Sequence, residues 1–168
     1  RSSDLGVGEN GKTERCMVFD LGGGTLDVTI LEYYKNIMEV YAIAGDNMLG
    51  GEDFTRVLME MFLNRIFVPA KMLELKDLNR VYKAAEKAKC EFAEKTAVTM
   101  AVNLSNQQIE QEFTIKEYES ACGELLNRIR TAVEKSLRDG RTSLDELDRI
   151  ILVGGATRLI RSSSSSEV

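Results

Sequence analysis

The sequence predicts an α/β protein, and three observations carry that expectation. Strand-like runs come first, at Cys16-Met17-Val18-Phe19, at Val28-Thr29-Ile30-Leu31 and from Ile37 to Ile43. Their short connections are the pattern of an antiparallel meander. Long apolar stripes at helical spacing follow. A last run, Arg149-Ile150-Ile151-Leu152-Val153, is apolar after one charge and reads as a strand in the middle of a sheet covered on both faces.

Composition narrows the class before any motif is weighed. At 43% hydrophobic, 168 residues suffice for one domain with its own core, or for two small lobes sharing one. The net charge of −5 comes from interspersed acids and bases, so there is no basic stripe for a nucleic-acid backbone and nucleic acid is set aside as a partner. No apolar run approaches the ~20 residues that span a bilayer, and no signal segment opens the chain, so a soluble, cytoplasmic protein without a membrane partner is expected. Cys16, Cys90 and Cys122 are odd in number and widely spaced, which supports neither a disulfide framework nor a zinc site. Histidine is absent. That removes every mechanism needing an imidazole, triad hydrolases and histidine-ligated zinc enzymes included. Asn103-Leu104-Ser105 fits a glycosylation sequon, but with no secretory signal it is read as chance.

Taken in order, residues 1–14 are polar and without period, and read as a linker or entry loop. Gly22-Gly23-Gly24-Thr25 joins the first two strands. A second glycine-rich stretch, Ala44 to Phe54, leads into a helix with one apolar face at Phe54, Val57, Leu58, Met61, Phe62 and Ile66. Glu52 and Asp53 sit in its first turn, where they complement the helix dipole, and Pro69, the only proline, is expected to end it. A second helix runs from about Asn79 to Glu94, packing Val81, Ala85, Ala88 and Phe92. On that helix Glu86 and Lys89 are three apart, which on spacing alone fits an ordinary surface ion pair. Val98 to Leu104 and Ile109 to Phe113 flank a polar turn, Ser105 to Gln108. Thr114 and Glu117 form a capping box opening one long helix to roughly Arg138, with Ala121, Leu125, Ile129, Val133 and Leu137 as its buried stripe and Gly140 as its C-terminal cap. Ser143 to Glu146 starts a short helix. The last strand runs into Gly154-Gly155-Ala156-Thr157-Arg158, and residues 162–168, with five consecutive serines, read as a flexible tail.

Chemistry concentrates at the glycine turns. Three residues without Cβ allow positive φ and a close backbone approach, so the N–H groups of Gly22, Gly23 and Gly24 can face a phosphate. Asp20, ending its strand beside them, suits a hard cation such as magnesium, which is usually held by one or two carboxylates, phosphate oxygens and water. The plainer alternative is a hairpin whose glycines satisfy turn geometry and whose aspartates are solvated. Gly50 and Gly51 likewise either line a pocket or turn a loop. Neither the P-loop spacing nor G-x-G-x-x-G is present, so the common nucleotide fingerprints do not apply. All three turns follow strands, and in open α/β sheets that end is where ligands bind.

Together the three turns resemble a known family. Val18 to Thr25, Ala44-Gly45-Asp46 through Leu49-Gly50-Gly51-Glu52-Asp53-Phe54, and Ile151 to Arg158 look like the ATPase domain of the seventy-kilodalton heat-shock chaperones of the DnaK type, and Ala85-Glu86-Lys87-Ala88-Lys89 adds a fourth match. Leu31-Glu32-Tyr33 and the short 98–113 hairpin are similar to the bacterial HscC branch. The resemblance implies a ribonuclease-H-like, actin-like ATPase fold, here a mixed sheet with flanking helices plus a smaller α+β outer subdomain, and only the second of its two lobes. Subdomain IIA is then expected at 15–51 and 139–161, subdomain IIB with connecting helices at 52–138, and 1–14 as the linker from the missing first lobe.

The same resemblance implies the ligands and the roles. ATP or ADP with magnesium would be bound, Gly22, Gly23, Gly24 and Thr25 holding the β- and γ-phosphates. Asp20 would hold the magnesium shell and position the attacking water, with Asp20 and Thr25 the catalytic pair and Asp27 nearby. Gly51 would line the cleft, Glu86 and Lys89 would reach the ribose, and Gly154, Gly155 and Arg158 would form the adenosine floor. Unfolded polypeptide, a J-domain co-chaperone and a nucleotide-exchange factor would be partners of the parent protein. Cys90 and Ala93 depart from the family's arginine and serine beside the adenine, and one lost hydrogen bond there costs about 0.5–1.5 kcal/mol. Half a cleft is expected to bind nucleotide poorly and to turn it over little, because phosphoryl transfer needs charges from several sides. A sugar kinase or another actin-like ATPase, and an isolated docking module for an exchange factor, are the competing readings.

Overall fold

A computed structural model describes residues 12–157 apart from Asn36. Among these, 12–50 and 127–155 form one compact unit, and 51–126 with 156–157 form another. The expectations for residues 1–11, for Arg158 and for the 162–168 tail lie outside the described residues.

The first unit is built on a four-stranded mixed sheet. Strands β1 (Glu14–Leu21), β2 (Leu26–Tyr34) and β3 (Ile37–Asp46) form the antiparallel meander, and β6 (Arg149–Val153) joins β1 in parallel, giving the order β3-β2-β1-β6. The strand buried on both faces is therefore β1, where Cys16, Met17, Phe19 and Leu21 are all shielded. The expectation of a central β6 is corrected: among the described residues it pairs only with β1, and Ile150 and Val153 are 58% and 39% exposed. An apolar run fixes that a strand has two dry faces in some context, not its place in the order.

The expected long helix after Thr114 is two helices. Helix α3 (Ile115–Ala121) and helix α4 (Gly123–Asp139) are separated at Cys122. The predicted stripe of large residues on α4 also shifts. Ala121 is exposed, Leu125, Ile129, Val133 and Leu137 are half-buried, and the shielded positions are Ala132, Ser136 and Gly140. A Cβ on Gly140 would lie 3.4 Å from those of Ile30 and Ala42, so small residues let this end of α4 approach the sheet closely while larger ones flank the seam.

In the second unit, α1 (Gly51–Arg65) and α2 (Leu75–Glu91) accompany α3 and a hairpin of β4 (Ala97–Leu104) and β5 (Gln107–Thr114). Helix α2 begins earlier than its periodicity suggested, but it buries the expected Val81, Ala85 and Ala88. The buried stripe of α1 is Phe54, Thr55, Leu58, Phe62 and Leu63, with Val57 and Met61 only half-covered. Phe92 stacks on Tyr118 with ring centroids 5.2 Å apart, and the Tyr118 hydroxyl donates to Phe54 O at 2.8 Å. The hairpin turns on two residues, Ser105 (φ 48°) and Asn106 (φ 64°), rather than on the four expected. Positive φ at both central residues is the type I′ geometry that matches strand twist.

Helix α4 ends at Asp139 with Gly140 next, as expected, whereas α1 does not wait for its proline, and in both closures the left-handed residue is another one. Helix α1 stops four residues before Pro69. Val68 N–H donates to Leu63 O and Phe67 N–H to Asn64 O, with Phe67 at φ 57°. Helix α4 repeats the pattern, with Thr142 N–H on Leu137 O, Arg141 N–H on Arg138 O and Arg141 at φ 47°. Both are Schellman closures whose left-handed residue is not glycine.

Candidate functional site

Register brings the glycine turns of the first unit together. Asp20 pairs with Asp27 on β2 and with Val153 on β6, and Asp27 pairs with Gly45 on β3. One row of residues thus crosses the sheet, and just past it stand Gly22 to Thr25, the loop to Gly50, and Gly154.

The turns touch through backbone. Gly22 N–H donates to Thr25 O at 2.9 Å and closes the hairpin. A Cβ on Gly50 would sit 2.3 Å from Gly23 O and 2.4 Å from Gly24 Cα. On Gly154, at φ 94°, it would sit 2.3 Å from Leu21 O and 2.8 Å from Asp20 Oδ1. No Cβ fits at such distances, so glycine at 50 and 154 is a packing requirement. The reason expected for the triple glycine is corrected in one respect: among the described glycines only Gly154 has positive φ. Gly22, Gly23 and Gly24 are instead a bare backbone on which Gly50 packs. Gly24 and Gly155 are exposed, with open space where a Cβ would be.

Asp20 is half-buried, whereas Gly23, Gly24, Thr25 and Asp27 are exposed. The second loop is braced by residues that the sequence did not single out. Asp46 accepts from Met48 N–H at 2.9 Å and from Arg128 Nε at 2.8 Å, and Arg128 Nη2 also donates to Met48 O at 2.9 Å. The Met48 amide first, and the guanidinium after it, hold the Asp46 carboxyl below the usual carboxylate range. Asp46-Asn47-Met48 carries a legible turn signal, but nothing in the spacing points to Arg128.

The second unit holds the remaining candidates. Gly51 is buried and opens α1, and its carbonyl accepts from Lys89 Nζ at 2.8 Å. Lys89 also donates to Thr55 Oγ1 at 2.7 Å, and the Thr55 hydroxyl donates to Gly51 O at 3.1 Å. Burial lowers the Lys89 pKa, with nearby charges including Glu86 acting against it. The surface ion pair that spacing allowed between Glu86 and Lys89 is not formed among the described residues. Glu86 is exposed while Lys89 turns to α1. Thr55, fully buried, is a polar partner that its place on an apolar helix face concealed. Cys90 is exposed and Ala93 half-buried.

The sequence matches the family model described as Hsp70 protein over residues 4–162. The chain belongs to the Hsp70 family. The family has the actin-like ATPase fold, which accounts for the mixed sheet with helices around it. Among relatives of this Hsp70 chain, "Chaperone protein dnaK" of Phaeodactylum tricornutum is 43% identical over 158 residues, 88% of this chain and 26% of that protein. "Heat shock 70 kDa protein 7, chloroplastic" of Arabidopsis thaliana is 39% identical, covering 90% of this chain and 22% of that protein. "Chaperone protein dnaK3" of Synechocystis is 36% identical, covering 90% and 21%. The chain therefore spans about a quarter or less of the length of these curated relatives. No helix among the described residues is long and apolar enough to cross a membrane.

Proposed function

We propose that this chain is lobe II of an Hsp70 ATPase domain and supplies the phosphate-facing half of its nucleotide site, in a parent protein that couples ATP binding and hydrolysis to the binding of unfolded polypeptide. The observation that carries the reading is the packing of Gly50 and Gly154 against the Asp20 to Thr25 hairpin, Gly50 on the main chain of Gly23 and Gly24 and Gly154 on Leu21 O and the Asp20 carboxylate. It leaves the amides of Gly23, Gly24 and Thr25 at one sheet end with a carboxylate beside them, while the Gly22 amide closes the turn on Thr25 O. Such an arrangement receives anions.

Magnesium fits this donor set in one way. Among the described residues no cluster of three or more acidic or sulfur side chains could hold a metal, so a cation here rests on Asp20, with phosphate oxygens and water completing its shell. Bound magnesium would neutralise phosphate charge. The chain's own part is to hold the β- and γ-phosphates on Gly22, Gly23, Gly24 and Thr25 and to orient water at Asp20. Gly154 and Gly155 are assigned to the adenosine. On motif alone, Gly51 is assigned to the cleft lining, Glu86 and Lys89 to the ribose and Arg158 to the base. Subdomain IIA at 15–51 with 139–161, subdomain IIB at 52–138, a J-domain co-chaperone, an exchange factor and a cytoplasmic HscC-like branch complete the reading, on the same resemblance.

The test uses the protein with both lobes present. Asp20→Asn should lower ATP hydrolysis by about 10²-fold, in the range seen when a preorganised polar group is removed, and leave nucleotide affinity nearly unchanged by calorimetry. Equal loss of both would sink the assigned role. The chain alone should bind ATP far more weakly than the two-lobed protein.

A further inference from the structure

The second unit has a groove that the nucleotide reading does not use. It has a volume of about 450 Å³ and runs between α2 and the edge of β4. Its helix wall is the stripe Arg80, Lys83, Ala84 and Lys87, ending at Glu91. Ala84 keeps the floor open, and three cations face one carboxylate. Arg80 is 2.7 Å from Asp77 and Lys87 3.8 Å from Glu91. Exposed pairs of this kind hold weakly, and Lys83 makes no ion pair among the described residues.

The opposite wall is main chain. Leu104 and Gln107 close the two-residue turn of the hairpin, and such a closing pair exchanges both of its hydrogen bonds. Antiparallel alternation then aims the N–H and C=O groups of Val98, Met100 and Val102 at β5, and those of Thr99, Ala101 and Asn103 away from it. These last three line the groove. Among the described residues only Asn103 O has a partner there, Arg80 Nη1 at 3.3 Å. An unpaired edge of this kind is a template for another strand.

We infer that the groove binds an extended acidic peptide segment of a partner protein, added to β4 as a third strand. Main-chain bonds to Thr99, Ala101 and Asn103 supply the pairing, and carboxylates facing Arg80, Lys83 and Lys87 select the sequence. The spacings agree. Lys83 and Lys87 are one helical turn, about 6 Å, apart, and alternate residues of a strand are about 6.6 Å apart, so an acid at every second position meets successive cations. A second copy of this chain is disfavoured as occupant because it brings the same cationic stripe.

The full chain, without nucleotide, is titrated with a fluorescein-labelled octapeptide alternating glutamate and valine, and with its lysine–valine counterpart. The acidic peptide should bind, more weakly as salt rises, and should protect the Thr99, Ala101 and Asn103 amides from hydrogen exchange, while the basic one should not bind. Lys83→Glu with Lys87→Glu should weaken binding by about tenfold or more. Ala101→Pro removes an outward N–H and no ladder bond, and should do the same with unchanged circular dichroism. Should that variant unfold, amide protection in the parent chain decides. The inference is overturned by no binding at millimolar peptide, by binding that survives charge reversal, or by binding that protects no β4 amide. It is equally overturned by a concentration-dependent dimer protecting these same amides. None of these outcomes bears on the phosphate site, which lies on other residues.

Discussion

Arg128 shows how much a single side chain outside every motif can do for the site. It clamps Asp46 and the Met48 carbonyl, and so the loop that delivers Gly50. Arg128→Ala should raise the Asp46 pKa only part of the way to its ordinary value, because the Met48 amide, the larger cause of its depression, remains. A carboxyl titration followed by NMR reads this directly; an Asp46 that returned fully to normal would show that the amide bond fails as well. Motif residues were legible because their chemistry requires glycine and aspartate at fixed offsets along the chain. Arg128 was not, since its partner is 82 residues away in sequence and only the packing of α4 on the sheet brings them together. The partners of Lys89 were hidden for the same reason: its spacing to Glu86 is local, whereas Gly51 and Thr55 are reached through the packing of α2 on α1.

Helices and strands were largely legible from period, and their ends were not. Phe67 and Arg141 occupy left-handed positions, where an L side chain costs roughly 1–2 kcal/mol, and Phe67 is 92% exposed, so its ring recovers little of that cost. We predict that Phe67→Gly, and separately Arg141→Gly, raises stability by about 1 kcal/mol in urea unfolding; a loss of stability at Phe67 would mean that the ring makes contacts worth more than the strain. The stop at Gly140 was legible, but α1 ended four residues ahead of Pro69, because the 6→1 and 5→2 hydrogen bonds of its closure formed at Val68 and Phe67. The split between α3 and α4 leaves no mark in the sequence, since the period of the apolar residues continues through Cys122. At Thr114 the outcome followed the capping-box signal. The Glu117 carboxylate accepts from Thr114 N–H at 2.8 Å and from Arg65 at 2.7 Å, and its pKa falls to about 2, the Thr114 amide being the largest cause.

Across the whole molecule, the absence of histidine and the directions of the shifts set the pH profile. Glu117, Asp46 and Glu146 have lowered pKa values in the folded state, so what they contribute is complete above the unfolded carboxylate pKa of about 4 and is lost as pH falls through the folded values. Burial pushes the Cys122 thiol up to about 12. The folded chain keeps that proton where the unfolded chain releases it, so stability is lost as pH rises above the unfolded thiol pKa of about 8.5. The urea midpoint should therefore be flat between about pH 5 and 8, with Glu117→Gln flattening the acid limb; a midpoint that moved steeply near pH 6.5 would contradict this. The sheet's meander was readable from sequence at this scale, but the pairing of β6 with β1 alone among the described residues was not, because strand order depends on neighbours that hydrophobicity does not name. One further consequence follows from the glycines that meet at the end of that sheet. Gly50 abuts the main chain of Gly23 and Gly24, and Gly154 that of Leu21. A clash with a neighbour's side chain can be repaired by trimming the neighbour, but main chain cannot be trimmed. In a saturation library selected for folding, second-site suppressors should be recoverable for many core substitutions and absent for these two, so the sheet end is closed to gradual evolutionary remodelling.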